Sequence, residues 1–275
     1  LQIADRTPTV NFIAPLRRVW THRALVAALV RRELSARYRG GTLGFLWSFL
    51  NPLLLLLVYA TVFRLVFAPR ADVHPYALFL FGGVLLWGFA SASLLDAVET
   101  FRANGPLLRK TTVAPEVFPA AVVGARLAHF LLALPVLVAA IAVAAARGSV
   151  RVSAAALEFP AVLALLVLAV FGAALGLSAL AVHFGDVRDI VANLLTLAFF
   201  VTPVLYPAEA VPERWRWALR LNPFAGFFSG LHDTLFAFRP IRSADWIAMA
   251  AVTLAALVVG GVVFERLRDS LAEDA

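Results

Sequence analysis

The sequence predicts an all-α integral membrane protein. Six transmembrane helices are expected, preceded by an amphipathic helix along the membrane interface, with two short re-entrant helices on the outer side between spans five and six. Three observations predict it. Of 275 residues, 62% are hydrophobic and 15% charged, whereas a soluble globular chain averages roughly 45–50% apolar and about 25% charged. The mean hydropathy is +0.87, so there is more apolar side chain than a water-exposed surface can hide. The apolar residues also fall into six stretches near the ~20 residues that cross a hydrocarbon core. The whole of 1–275 reads as one transmembrane domain.

The elements follow in order. Residues 15–39 place Leu16, Trp20, Ala27, Val30 and Leu34 near one helical face and arginines on another, the pattern of a helix lying on a leaflet surface. Arg37-Tyr38-Arg39-Gly40-Gly41 then turns the chain into span one, 42–67. Span two is 76–100, span three 117–146 (interrupted by Arg126 and His129), span four 155–184, span five 188–206 and span six 244–265. Between spans two and three, Asn104-Gly105-Pro106 is a turn signal, after which Leu107 to Lys110 is expected as a short helix. In segment 207–240, Glu213–Leu221 and Phe224–Phe238 are expected as two short helices broken at Asn222-Pro223, because the residue before proline is pushed away from helical angles. Irregular backbone at membrane depth is tolerated against protein or a water-filled cavity, so this segment is expected to close or line a pathway.

Charge sets the orientation. With both termini in the cytoplasm, that side receives fourteen basic residues and the outer side nine, which satisfies the positive-inside rule. The net charge of +7 is spread over flanks of apolar runs rather than along one stripe, so no nucleic-acid partner is expected; membrane lipid is. A polar N-terminus ahead of a long apolar run gives no expectation of a cleavable signal peptide.

Ionisable residues inside spans are costly and face protein or water. Asp96 and Glu99 share a helix face, as do Arg126 and His129, and one short loop joins the two spans. A structural ion pair between Arg126 and Asp96 or Glu99 is expected; contact of Arg126 with a phosphate, or a proton relay, are the alternatives. Catalysis finds little support. The chain has no cysteine, no HExxH, no GxSxG and no GxxxxGK[ST], and it carries only Asp186 and Asp189, interleaved with Arg188, as a carboxylate pair for a metal-dependent transferase. No catalytic residue, metal site or cofactor is expected in this chain.

Arg37-Tyr38-Arg39-Gly40-Gly41-Thr42-Leu43-Gly44, then Trp47, Asn51-Pro52, Tyr59 and Phe63, resembles the start of polysaccharide permeases of the ABC type-2 exporter family. Asn104, Leu107-Leu108, Arg109-Lys110 and Pro115 resemble that family's coupling segment, here 102–113. Arg188-Asp189, Thr202-Pro203-Val204 and Tyr206-Pro207 resemble its fifth span, and Leu221-Asn222-Pro223 the element after it. One departure is that Thr111-Thr112-Val113-Ala114 is less basic than the family pattern.

The resemblance implies a homodimer with two copies of a separate ATP-binding subunit, which carries ATP and Mg. It implies export of a polyprenyl-diphosphate-linked glycan (O antigen, capsule or teichoic-acid precursor) across a bacterial inner membrane. A kink is implied at Asn51-Pro52, and an outer gate over 207–240 with Trp215, Asn222, Pro223, Phe224, Phe227 and Phe228. Sugar rings stack on aromatic faces without needing a fixed hydroxyl pattern, which makes Tyr59, Phe63, Phe199, Phe200 and Tyr206 the expected channel aromatics. Arg37, Arg39 and Arg126 are the expected contacts for a diphosphate at the inner mouth. The rival readings are a drug or simple-lipid exporter of the same architecture, a membrane glycosyl- or phosphotransferase, and a carrier that works without an ATPase.

Overall fold

The computed structural model describes residues 14–38, 46–65, 76–110, 113–150 and 152–271. The described residues are helical, with no strand among them. The α-helices are α1 (Ala14–Thr21), α2 (Arg23–Tyr38), α3 (Trp47–Leu65), α4 (Tyr76–Lys110), α5 (Val117–Ala146), α6 (Phe159–His183), α7 (Val187–Val201), α8 (Arg216–Leu221), α9 (Ala225–Leu235) and α10 (Ser243–Leu267). Four stretches are long and apolar enough to cross a membrane, namely Tyr76–Gly105, Val117–Ala146, Ala154–His183 and Ser243–Leu267. In α3 the apolar run is the shorter Phe49–Val62. α7 has 15 residues, below the ~20 that a straight span needs.

The core is built on α4, α5, α6 and α10. α6 and α10 run side by side with their backbones in contact. At one end the backbone N–H of Ile241 donates to Glu158 at 3.0 Å, and at the other the ring of His183 meets the Ser270 hydroxyl at 2.8 Å. Small residues permit this approach. A Cβ on Gly260 would lie 1.8 Å from the carbonyl oxygen of Gly172, and one on Gly172 would lie 2.6 Å from the Ala256 carbonyl. Where lipid supplies no hydrophobic drive between helices, close backbone contact of this kind is what holds them.

Three sequence expectations change in the structure. The turn at Asn104-Gly105-Pro106 does not form, and α4 continues to Lys110. Tertiary packing overrides the local signal there: Phe101 is buried against Phe118 and Phe264, Leu108 is buried, and the Asn104 side chain donates to the Thr100 carbonyl at 2.9 Å. The fifth helix stops at Val201 rather than 206, because Pro203 forces Thr202 to an extended ψ of 140°. The segment ahead of α3 is two helices broken at His22, not one. The stripe expected there is split: Trp20 and Ala27 are exposed, whereas Leu29 is buried and Leu25, Val26 and Val30 pack on the core. α2 lies against α5, where Gly124 leaves Val30 room, so its apolar face answers to protein as well as to the interface.

In segment 207–240 the first short helix is a 3-10 turn at Glu213–Trp215 running into α8, and the second, α9, ends at Leu235. Arg39 lies outside the described residues, as do residues 42–45, 66–67 and 111–112 of the expected elements. The side chains of Arg37, Phe63, Leu107, Arg109 and Lys110 lie outside the description as well.

Candidate functional site

The first candidate region is the end of the bundle where the described chain begins and finishes. Glu116, 0% exposed, closes the return from α4 to α5. Its carboxylate meets the guanidinium of Arg18 from α1 at 2.7 Å and that of Arg268, just past α10, at 3.4 Å; Arg18 also pairs with Glu265 of α10. Burial pulls the Arg18 guanidinium below its usual pKa and Arg268 adds to the effect, while Glu116 opposes both. This knot ties the segment after α4 to α1 and to the end of α10. Removing one partner of a buried ion pair costs about 3–5 kcal/mol, because a charge is left uncompensated.

Further along α5, about three turns from Glu116, Arg126 pairs with Asp96 of α4. Glu99 pairs instead with Arg188 at the start of α7, at 3.2 Å. The two carboxylates therefore take different arginines, one from α5 and one from α7. His129 and Asn104 line the same polar cavity as Asp96, Glu99 and Arg126. Arg32 of α2 donates to Asn104 Oδ1 at 2.9 Å, joining α2 to α4. With Asp96 already on Arg126 and further carboxylates around the cavity, Arg126 is a poor seat for a diphosphate. Arg102, at the same end, donates to the Ala181 carbonyl at 3.2 Å.

The second region is the far end, where aromatic side chains converge. The ring of Trp87 on α4 has Phe224 at 5.4 Å, Phe199 at 5.6 Å and Phe228 at 5.8 Å, in edge and tilted geometries. Such pairs add about 0.5–1.5 kcal/mol each beyond area burial. Phe199 thus belongs to packing between α4, α7 and α9, while its neighbour Phe200 is 64% exposed. Phe227 and Phe228 are fully buried. Tyr206 donates to the carbonyls of Val201 and Phe200, at 2.9 and 3.1 Å, capping the end of α7. Tyr59 is half-buried on α3, beside a small cluster that holds Leu78, Phe81 and Leu137. The structure therefore joins Phe199, through Trp87, with Phe224 and Phe228, sets the exposed Phe200 edge-on to Phe199 at 5.3 Å, and places Tyr59 in the other cluster.

The Asn222-Pro223 break has a defined geometry. Asn222 Nδ2 donates to Thr202 Oγ1 at 2.8 Å, and its Oδ1 accepts from the Phe224 N–H at 2.9 Å. One side chain thereby pins the start of α9 to the end of α7. Pro223 and Trp215 are exposed, and Trp215 lies 6.4 Å from Trp217 between ring centroids. Arg239 bridges Asp233, at 2.7 Å, and Glu209.

Sequence reading missed four groups. Glu116 meets partners at the two ends of the chain, which no local pattern reveals. Trp87 is one aromatic in an all-apolar span. His232 is buried and stacks on Phe79 with ring centroids 3.6 Å apart. The fourth is the Arg188–Glu99 contact across α4 and α7. Among the described residues, no three His, Asp or Glu side chains gather as a metal site, and Asp186 and Asp189 are exposed at the turn into α7.

Known proteins resemble this chain along most of its length. The family described as "ABC-2 type transporter" matches residues 24–236. An O-antigen export system permease protein RfbA from Myxococcus xanthus is 34% identical over 260 residues, covering 94% of this chain and 98% of that protein. A protein of the same description from Klebsiella pneumoniae is 28% identical over 250 residues, covering 90% of this chain and 94% of its own length.

Proposed function

The chain belongs to the ABC-2 type transporter family, and from that premise we propose that it is the permease subunit of an ATP-driven exporter of a lipid-linked polysaccharide. The carrying observation is the identity of 34% with an O-antigen export permease along 94% of the chain. The substrate is an O-antigen-like or related glycan on a polyprenyl diphosphate, moved outward across a bacterial inner membrane. The end holding Glu116 and both described chain ends faces the cytoplasm, and α3 and α7 act as spans one and five.

ATP and Mg are held by a separate subunit, and this chain performs no hydrolysis. The end of α4, with Asn104, Leu107, Leu108, Arg109 and Lys110, receives that subunit's motion. Glu116 relays it to α1 and α10. Arg37 and Arg39 take the diphosphate in preference to Arg126, which is held by Asp96.

Two copies of this chain face each other across α3 and α7. The supporting observation is chemical. The exposed face of α7 carries Asn193 and Thr196 beside Ile190, Leu194 and Leu197, and α3 exposes Asn51. Exposed α10 positions between Ile247 and Val259 are aliphatic throughout. Amide groups suit a protein seam or a wet path; aliphatic side chains suit lipid. Tyr59, Phe63, Phe200 and Tyr206 then border the path, with Phe199 behind them, and 207–240 gates its outer end through Trp215, Asn222, Pro223, Phe224, Phe227 and Phe228.

Depleting the chain in its native cell and assaying polyprenyl-linked glycan on each side of the inner membrane tests the proposal. Accumulation on the cytoplasmic side is expected. Unchanged sidedness moves drug or simple-lipid export to the front, and a glycan never made points to a membrane transferase.

A further inference from the structure

A cavity of about 260 Å³ lies between α2, α4 and α5, room for roughly eight water molecules at ~30 Å³ each. Three carboxylates line it, those of Glu33, Asp96 and Glu99, against Arg126 and the imidazole of His129. Asp96 is paired with Arg126 and Glu99 with Arg188. Glu33 has no ion-pair partner among the described residues. The cavity wall also holds Thr100, which is 3% exposed, with a hydroxyl that finds no hydrogen-bond partner. A buried hydroxyl without a partner marks a place where an outside group completes the bonding.

These groups specify a ligand. A spare carboxylate and an unsatisfied hydroxyl call for a cation that donates several hydrogen bonds, which describes a primary ammonium. The cavity is not purely acidic, since Arg126 is in its wall and Arg32 sits on Asn104, which lines it too. An ammonium tethered close to a phosphodiester satisfies both signs. We propose that this cavity holds the head group of a phosphatidylethanolamine-type lipid, with its ammonium toward Glu33 and Thr100 and its phosphate toward Arg32 at the cavity mouth, while Asp96 and Glu99 stay on Arg126 and Arg188. The lipid pins the interface helix α2 to the ends of α4 and α5. A quaternary ammonium offers no N–H to these acceptors, and an anionic head group meets three carboxylates. That the lipid belongs to the inner leaflet rests on the orientation given under Proposed function; the site itself does not.

Native mass spectrometry of the purified full-length chain, stripped of lipid and titrated with phosphatidylethanolamine, phosphatidylcholine or phosphatidylglycerol, tests the site. One tightly retained phosphatidylethanolamine per chain is expected, favoured over both others. In Glu33→Gln and Thr100→Val that preference should fall about tenfold, the loss of one charge-assisted contact. Thr100→Ser, which keeps the hydroxyl, should retain it, and Glu33 is exposed, so its variant is not expected to disturb folding. Equal retention of the three lipids, a preference for phosphatidylglycerol, or an unchanged preference in both variants overturns the proposal. So does cross-linking of Glu33 to a lysine of a copurified ATP-binding subunit with no lipid retained. Labelling of Ala103→Cys by a membrane-impermeant reagent from outside the cell would overturn the orientation alone and leave the head-group result standing.

Discussion

α6 and α10 meet backbone to backbone, whereas α3 and α7 leave most of their apolar surface uncovered. The first pair has glycine at the crossing and no space for a methyl group. The second pair exposes Leu53, Leu54, Leu57, Ile190, Leu194 and Leu197. One chain therefore contains a finished helix seam and an unfinished one. The finished seam has α4 and α5 packed against its α6 side. The unfinished one holds the side chains expected beside the substrate. Close packing is bistable rather than continuously deformable, so under the proposed function motion received at the α4 end is carried by the packed seam and released where packing is sparse.

The largest expected effect breaks the finished seam. Gly260→Leu forces a side chain into the Gly172 carbonyl and should abolish accumulation of the chain in membranes, measured by immunoblot. Leu254→Ala, on the exposed face of the same helix, should leave accumulation unchanged. Next is the ion knot. Glu116→Gln leaves Arg18 and Arg268 facing each other, and the melting temperature should fall by an amount corresponding to about 3–5 kcal/mol. Removing Arg268 as well should recover part of the loss. If the single variant melts like the parent, Glu116 is not what holds the segment after α4 to α1 and α10.

The smallest effect is in segment 207–240. Burial pushes the Glu209 carboxyl up, but the Arg239 hydrogen bond, a backbone bond and the charges of Arg239 and Arg216 outweigh it, leaving its pKa below the ordinary 4.5. A carboxyl with a lowered folded-state pKa stabilises fully above the unfolded value and loses that contribution as pH falls through the folded one. Fluorescence of the exposed Trp215 and Trp217 should thus hold steady down to the ordinary carboxylate range and change below it. Glu209→Gln should remove that acid step without altering the spectrum at neutral pH. The pair is exposed, so the contribution to global stability is small.

The finished part of the fold was the more legible in sequence. α5 begins and ends where its apolar run does, and α10 extends one or two residues beyond the expected span at each end. The Arg126 partner was narrowed to Asp96 or Glu99 because one loop joins their helices. Legibility failed where distant residues decide. Asn104-Gly105-Pro106 reads as a turn locally, yet the burial of Phe101 and Leu108 carries the helix through it. Glu116 looks like a loop carboxylate until Arg18 and Arg268 fold onto it. Trp87 gains meaning only when α7 and α9 bring Phe199, Phe224 and Phe228 around it. The end of α7 was the opposite case, since Thr202-Pro203 was in plain view and the apolar run beyond it misled.

Disulfide cross-linking in native membranes bears most directly on the claim that export runs between two copies along α3 and α7. The chain has no cysteine, so single substitutions report cleanly. Leu197→Cys should form a disulfide-linked dimer, arrest glycan export while oxidised and regain it on reduction, and Leu254→Cys should do neither. A dimer at Leu254 and none at Leu197, or export unaffected by the Leu197 cross-link, would contradict the account.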